Sequence, residues 1–342
     1  MSDSDIRDIT IIGAGPVGLA TAFWAGMREA SCQIIDSLPE LGGQLTTLYP
    51  EKWIFDVVGH PKVLARDLVE MLRQQALEPF DVPVHLETTA SAIEWDDEVV
   101  TLHTDRGEIR SRTLIVAGGH GAFEPKKLPA SDVDMTPWEG RGVEYVVGSK
   151  EVYAGKRVII VGGGDSAFDW VVNLVDTADS VALVHRRDGF RAHEATVAEV
   201  MREVAAGRVG LKVPAVVREV LGDAAVEGVV LSSPDGVLET VDCDAILLQL
   251  GFVTKLGPLR EWGFEITKGA LVVDSVMKTN LDRVWACGDI ATFDGKLKLI
   301  ATGFAESAIA VAQAVHHIRP EMRIQPVYST NSGVPGAVAG QA

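Results

Sequence analysis

The residues of this chain best suited to chemistry are glycines rather than acids or nucleophiles. An apolar run, Ile9–Ile12, leads straight into Gly13-Ala14-Gly15-Pro16-Val17-Gly18, and an alanine-rich stretch follows. In that pattern Gly13 makes a tight turn, Gly15 lets the backbone approach a pyrophosphate, and Gly18 lets helix and strand pack closely. Unpaired N–H groups and the helix dipole favour an anion at the helix N-terminus. A second apolar run, Cys32–Ile35, ends in Asp36, 23 positions after Gly13, where an acid accepts from ribose hydroxyls. Strand, glycines, helix, strand and terminal acid together specify an adenine dinucleotide, and Gly42-Gly43-Gln44 directs the choice to FAD.

The same unit occurs twice. Gly162, Gly164 and Ala167 keep the mutual offsets of Gly13, Gly15 and Gly18, with Asp165 and Ser166 opening the following helix. Counting 23 positions from Gly162 reaches His185, then Arg186 and Arg187, with Arg191 just beyond. A carboxylate at this place repels a 2′-phosphate, whereas arginines bind one through charge-assisted, often bidentate hydrogen bonds. The second unit therefore reads as an NADPH site. Arginines that merely solvate a loop are the competing reading, and the repeat outweighs it.

The elements that must position these residues are those of an α/β protein with two Rossmann-like dinucleotide-binding domains in three-layer ββα form. Between the repeats, apolar spacing predicts a helix over 61–77, with Val63, Leu64, Leu68, Met71 and Leu72 on one side. Short strands are expected near 84–86, 92–95, 99–103, 108–109 and 113–119. Residues 119–130 and the second half of 243–259 read as linkers, so one domain is inserted in the other. The boundaries expected are an FAD-binding domain of 1–118 and 250–321, an NADPH-binding domain of 119–249 and a tail of 322–342. Helices are expected at 194–207 and 303–318, the latter with Phe304, Ala308, Val311, Val315 and Ile318 on one face.

Composition narrows the function. The 342 residues carry 48 acidic against 31 basic side chains, a net charge of −17, which disfavours nucleic acid and anionic membranes as partners. No apolar run reaches the length of a membrane span, and the acidic start MSDSDIRD lacks the basic region of an export signal. The protein is expected to be cytoplasmic. Cys32, Cys243 and Cys287 are odd in number and far apart, which suits core packing rather than a disulfide scaffold. No residues stand at metal-ligand spacing, His316-His317 reading as a solvated helix end. Acid–base pairs are also lacking, and reactions between bound cofactors need none, because the cofactors hold the reactive atoms.

Both glycine motifs, the GGQ, the run VHRRDGFRA and the closing ACGD resemble those of the thioredoxin-reductase-like flavoproteins over residues 5–320. Within that group GGQLTTLYPEKWIFDVVGHPKV, GHGAFEPKKL, GGGDSAFDW and RIQPVYST are similar to the ferredoxin/flavodoxin–NADP⁺ reductases. The resemblance implies that Asp36, Gln44, Tyr49, Ala90, Phe123, Asp289 and Thr330 contact FAD, alongside Gly13, Gly15, Pro16, Gly18 and Gly43. It implies that Tyr49 and Tyr328 pack on the two flavin faces, the tail lying over the flavin. It also implies a homodimer that passes electrons between NADPH and ferredoxin or flavodoxin, by hydride transfer to flavin and then single-electron steps. Thioredoxin reductases carry a CxxC before the second glycine motif, and this chain has no cysteine between Cys32 and Cys243. A flavin oxidoreductase or monooxygenase acting on a small molecule is the alternative. An acidic carrier docking on so acidic a chain requires a local basic patch, for which Lys126, Lys127, Lys255, Arg260, Lys296 and Lys298 are the candidates.

Overall fold

The chain forms two compact units, Met1–Phe123 with Thr254–Ala342, and Glu124–Val253. The structure, a computed structural model, describes residues 6–335 except 97, 130–132 and 148, with the side chains of 122–124, 252–255 and 332 also outside the description. The chain passes from one unit to the other within two short strands, Ala122–Pro125 and Phe252–Lys255, in the stretches read from sequence as linkers.

In the first unit the strand Arg7–Ile12 lies between Cys32–Ile35 and Gly107–Val116, parallel to both. Ile9, Ile11, Ile34, Leu114 and Ile115 have no exposed surface, as parallel strands covered on both faces require. Gly107–Val116 is a single ten-residue strand where the sequence suggested two. Its first half pairs antiparallel with Val100–Thr104, and its second half pairs parallel with Arg7–Ile12 and Val284–Ala286. Composition changes along it because its neighbours change, and the join is held where Thr113 donates to the Asp8 carbonyl at 2.8 Å.

Helix Pro16–Met27 packs on the 19-residue helix Ile300–Ile318. Small residues permit the approach: a Cβ on Gly303 would stand 2.5 Å from the Val17 side chain. The buried face of the long helix is Gly303, Glu306, Ser307, Ala310, Val311, Ala314 and Val315, one position round from the face expected. Val311 and Val315 are buried as expected, whereas Phe304, Ala308 and Ile318 are only partly buried, the stripe being shifted toward Gly303, where Val17 leaves no room for a side chain. The helix expected over 61–77 starts at Ala65, since Val63 and Leu64 pair antiparallel with Ile54 and Trp53.

In the second unit the central strands are covered on both faces, Ala245–Leu248 being buried throughout and Arg157–Val161 after its first residue. Five parallel strands run in the order Val143–Glu144, Ala245–Leu248, Arg157–Val161, Ser180–Val184 and Val209–Lys212. Val158, Ile160, Ala245 and Leu247 face a core shared with helix Asp165–Leu174. Their alternates Ile159, Val161, Ile246 and Leu248 face an antiparallel layer of Val216–Gly222, Val226–Ser232 and Leu238–Asp242. Among the described residues no helix is long and apolar enough to cross a membrane.

Two adjacent strands of this sheet are tied at their starts. The Arg157 guanidinium donates to both oxygens of Asp244, at 3.0 and 2.7 Å, and the Arg157 amide adds a third bond at 2.8 Å. These bonds hold the Asp244 carboxyl down at about 2 from an ordinary 3.8. A carboxyl depressed in the folded state stabilises fully above 3.8 and loses that contribution as pH falls through 2. Asp244→Asn is expected to lower the melting temperature by roughly 2–4 °C at neutral pH. It should also remove part of the fall in stability between pH 4 and 2, read from melting curves across that range.

Candidate functional site

Both glycine motifs fold as strand, turn and helix, and the individual glycines do different things in them. Gly13 has φ +109°, and a Cβ on it would stand 2.5 Å from the Ala117 carbonyl oxygen. A Cβ on Gly18 would stand 1.8 Å from the Gly13 oxygen, so strand and helix meet only without it. Gly15 differs: no protein atom lies within 4 Å of its Cβ position. No packing inside the protein demands a glycine there, and the space opens into a cavity of about 800 Å³. A Cβ on Gly43, at φ +56°, would stand 3.2 Å from the Gly15 Cα, and the Gly42 amide donates to Ala14.

Asp36 stands at the end of the second strand and lines this cavity. One carboxylate oxygen accepts from the Ala14 amide at 2.6 Å and the other from Leu38 at 2.9 Å. Burial pushes its carboxyl up, and the amides of Ala14, Leu38 and Ser37 oppose that. Two bonds leave lone pairs on both oxygens for ligand hydroxyls. Asp36 therefore both braces the glycine loop and faces the cavity.

Gln44, Tyr49, Ala90 and Asp289 line other parts of the same wall, with Gly13, Gly15, Pro16 and Gly43. Asp289 follows Gly288, which turns the chain at φ +76° after strand Val284–Ala286. The His120 ring reaches Gln44 at 3.0 Å and Asp289 at 3.5 Å. Burial pushes the His120 ring's pKa down; Asp289 raises it and Lys298 lowers it. Burial also pushes the Tyr49 hydroxyl up, aided by Asp289 and Asp56. Trp53, Phe55 and Trp262 line the cavity too and were not singled out from sequence. Trp53 and Phe55 lie inside the quoted LYPEKWIFD run and are exposed, which is the signal that could have found them.

In the second unit Gly162 is needed for packing, a Cβ there meeting the Gln249 carbonyl at 2.4 Å, while nothing lies within 4 Å of the Gly164 position. Ala167 replaces the third glycine and is fully buried. Asp165 opens the helix and accepts from the His193 amide at 2.8 Å, and Ser166 follows it in the first turn. The Arg191 amide donates to Gly163 at 2.7 Å, folding the arginine loop back onto the glycine turn. Arg186, Arg187 and Arg191 are all exposed. The His185 ring covers Gly163, where a Cβ would come within 2.4 Å of it, and burial together with the arginines pushes its pKa down.

Other expected residues fall elsewhere. Tyr328 is 70% exposed, Thr330 is also exposed, and neither lines the cavity of its own chain. The root of the tail is held by Arg28, which donates to the carbonyls of Arg323 and Ile324 at 2.6 and 3.2 Å. Arg28 follows the last residue of helix Pro16–Met27, whose first residue lines the cavity, so the helix separates the two by roughly 18 Å. The Phe123 side chain and that of Lys255 lie outside the described residues. The basic patch expected from sequence loses Lys296, which is buried in an ion pair with Glu306, and Lys127 is bonded to Glu139. The three cysteines are buried and unpaired with one another, burial pushing each thiol up to about 12. Among the described residues no cluster of three or more His, Cys, Asp or Glu could hold a metal.

Comparison with known proteins agrees with this geometry. Ferredoxin–NADP reductase 2 of Bacillus pumilus is 44% identical over 331 residues, covering 96% of this chain and 98% of the relative. Ferredoxin–NADP reductase of Thermus thermophilus is 44% identical over 335 residues, covering 97% and 99%. Thioredoxin reductase of Lactococcus lactis superimposes with a TM-score of 0.74 at 23% identity over 92% of this chain and 99% of that one, which shows a shared thioredoxin-reductase-like fold. Residues 7–314 match the family described as pyridine nucleotide-disulphide oxidoreductase. With two glycine-motif units in one α/β chain and a match across nearly its whole length, the chain belongs to the pyridine nucleotide-disulphide oxidoreductase family.

Proposed function

We propose that this protein is a ferredoxin–NADP⁺ reductase, a homodimer of the cytoplasm that carries electrons between NADPH and ferredoxin or flavodoxin. FAD, held by the first unit, takes electrons in pairs from NADPH and releases them singly. The observation that carries the reading is a large cavity beside a complete dinucleotide loop with no cysteine on its wall. A thioredoxin-reductase fold without a dithiol must hand electrons to an external acceptor. Asp36, Gly43 and Gln44 bind FAD beside the open Gly15, with Tyr49, Ala90 and Asp289 further along the wall. Gly164, Asp165, Ser166 and the arginines Arg186, Arg187 and Arg191 bind NADPH in the second unit. Nothing in this assignment asks a side chain to act as acid or base; the protein binds, orients and excludes water.

The direct test is reduction of purified ferredoxin and flavodoxin by NADPH, side by side with small-molecule acceptors. Reduction of neither carrier, with rapid turnover of an organic substrate and oxygen, would move the assignment to a monooxygenase. In the same assay Arg186→Ala with Arg187→Ala should lower kcat/KM for NADPH by about ten- to several-hundred-fold. That range corresponds to one or two charged contacts of about 1.5–3 kcal/mol each. Turnover with NADH should barely change, and a wild type that already prefers NADH contradicts the arginine assignment.

The open glycines separate the two cofactors. Gly15→Ala adds a methyl to empty space, so the protein should melt within about 2 °C of wild type without cofactor yet bind FAD at least tenfold more weakly. Gly164→Ala should leave FAD bound and raise the KM for NADPH. Equal FAD affinity in wild type and Gly15→Ala, by flavin fluorescence titration, would remove FAD from this loop.

Because the tail root is held at the far end of its own helix, Tyr328 and Thr330 would reach a flavin in a second copy of the chain. A ring stacked on flavin contributes about 0.5–1.5 kcal/mol beyond its buried area, enough to help order a short segment. Truncation after Arg323 is expected to raise NADPH oxidase leakage to oxygen and to alter the charge-transfer band with NADP⁺. A truncated enzyme with the flavin spectrum, leakage and carrier turnover of the full chain would exclude a role for the tail over the flavin.

A further inference from the structure

Behind the cavity wall that carries Asp289 lies an ion pair with almost no access to water. The Lys296 and Glu306 side chains are 5% and 6% exposed, and the ammonium stands 2.5 and 2.6 Å from the two carboxylate oxygens. One of those oxygens also accepts from the Gly288 amide at 2.8 Å. Gly288 is buried, and a Cβ on it would already crowd Val17 at 3.2 Å, so the turn is gripped between the first helix and Glu306. Two residues beyond Lys296, Lys298 to Ile300 line the cavity, as do Gly288 and Asp289. A single carboxylate thus ties together two separate segments of the wall.

We propose that the Lys296–Glu306 pair is a positioning device that fixes the Gly288–Asp289 turn, and with it Asp289, against the FAD held in this cavity. A buried ion pair is often no more stabilising than apolar residues of the same shape, so stability alone does not account for it. Its geometry does. An apolar side chain at 306 leaves the buried Gly288 N–H without an acceptor. A neutral amide supplies that acceptor yet leaves the Lys296 ammonium without a counter-charge. Only a carboxylate satisfies both, and it sits in a helix whose first residue, Ile300, also lines the cavity. Glu306 and Lys296 do not line the cavity, so they act through Gly288 and the 298–300 segment rather than on the cofactor.

The inference rests on FAD occupying this cavity, and the experiment separates the two. Apoprotein carrying Lys296→Met with Glu306→Gln, which stays neutral and keeps an oxygen for Gly288, should bind FAD within about threefold of wild type. Lys296→Met with Glu306→Leu, equally neutral but without the acceptor, should bind at least about tenfold more weakly and shift the visible flavin band. Equal affinities and identical flavin bands in the two double variants would overturn the proposal. Should the leucine variant fail to fold, Lys296→Met alone takes its place. Weak FAD binding in that variant, restored when Glu306→Gln is added, supports the device, and no recovery overturns it. A wild type that binds no FAD overturns the cofactor assignment instead.

Discussion

The arrangement depends on one close approach, that of the helix Pro16–Met27 to the strand that feeds it. With 1.8 Å between the Gly13 oxygen and the place a Gly18 Cβ would take, no other residue type allows the contact. That contact points the helix N-terminus at the cavity and leaves the Gly15 backbone bare in front of it. An anion placed there meets unpaired amides and the positive end of the dipole. Two neighbouring segments are tied to this loop, Asp36 accepting from the Ala14 amide and the Gly42 amide donating to the Ala14 carbonyl.

The second unit repeats this loop with changes that bear on chemistry. Ala167 stands where the first unit has Gly18 and is fully buried, and Gly162, unlike Gly13, is not in the left-handed region. The acid that ends the second strand of the first unit becomes His185, whose ring fills the space above Gly163. Burial and three nearby arginines favour its neutral form, so the positive charge of this loop resides on exposed guanidiniums. The same order of strand, turn and helix therefore presents a carboxylate in one unit and exposed arginines in the other.

Charge is distributed with similar economy across the rest of the molecule. Despite a net charge of −17, lysines occur near the cavity mouth, Lys52 and Lys298 among its lining residues. Apolar side chains share that mouth, with Trp53 45% and Phe55 69% exposed. Basic and aromatic side chains thus share this wall with the acidic Asp56 and Asp289. Lys296 shows why counting lysines along the chain overstates such a patch, since its charge is cancelled inside the fold.

Sequence by itself determined the two nucleotide loops, because Gly13, Gly18 and Gly162 are local requirements of backbone geometry and Asp36 or Arg186 follow at a fixed distance along the chain. It also determined the strand Arg157–Val161 of the second unit, whose unbroken apolar run Val158, Ile159, Ile160 and Val161 records two covered faces. Tertiary structure decided what depends on partners far apart in the chain. The join of two expected strands into Gly107–Val116 needed different neighbours on its two halves. The buried face of Ile300–Ile318 is shifted toward Gly303 because Val17 of the neighbouring helix leaves no room there for a side chain. The root of the tail is held by Arg28, 295 and 296 positions from the carbonyls it meets, which no local pattern encodes. Glu306 stood in plain sight at helical spacing with Gly303 and Ala310, yet its meaning lay in Lys296 and Gly288. A charged residue on a buried stripe can be read from spacing, but the charge that neutralises it is found only once the chain has folded.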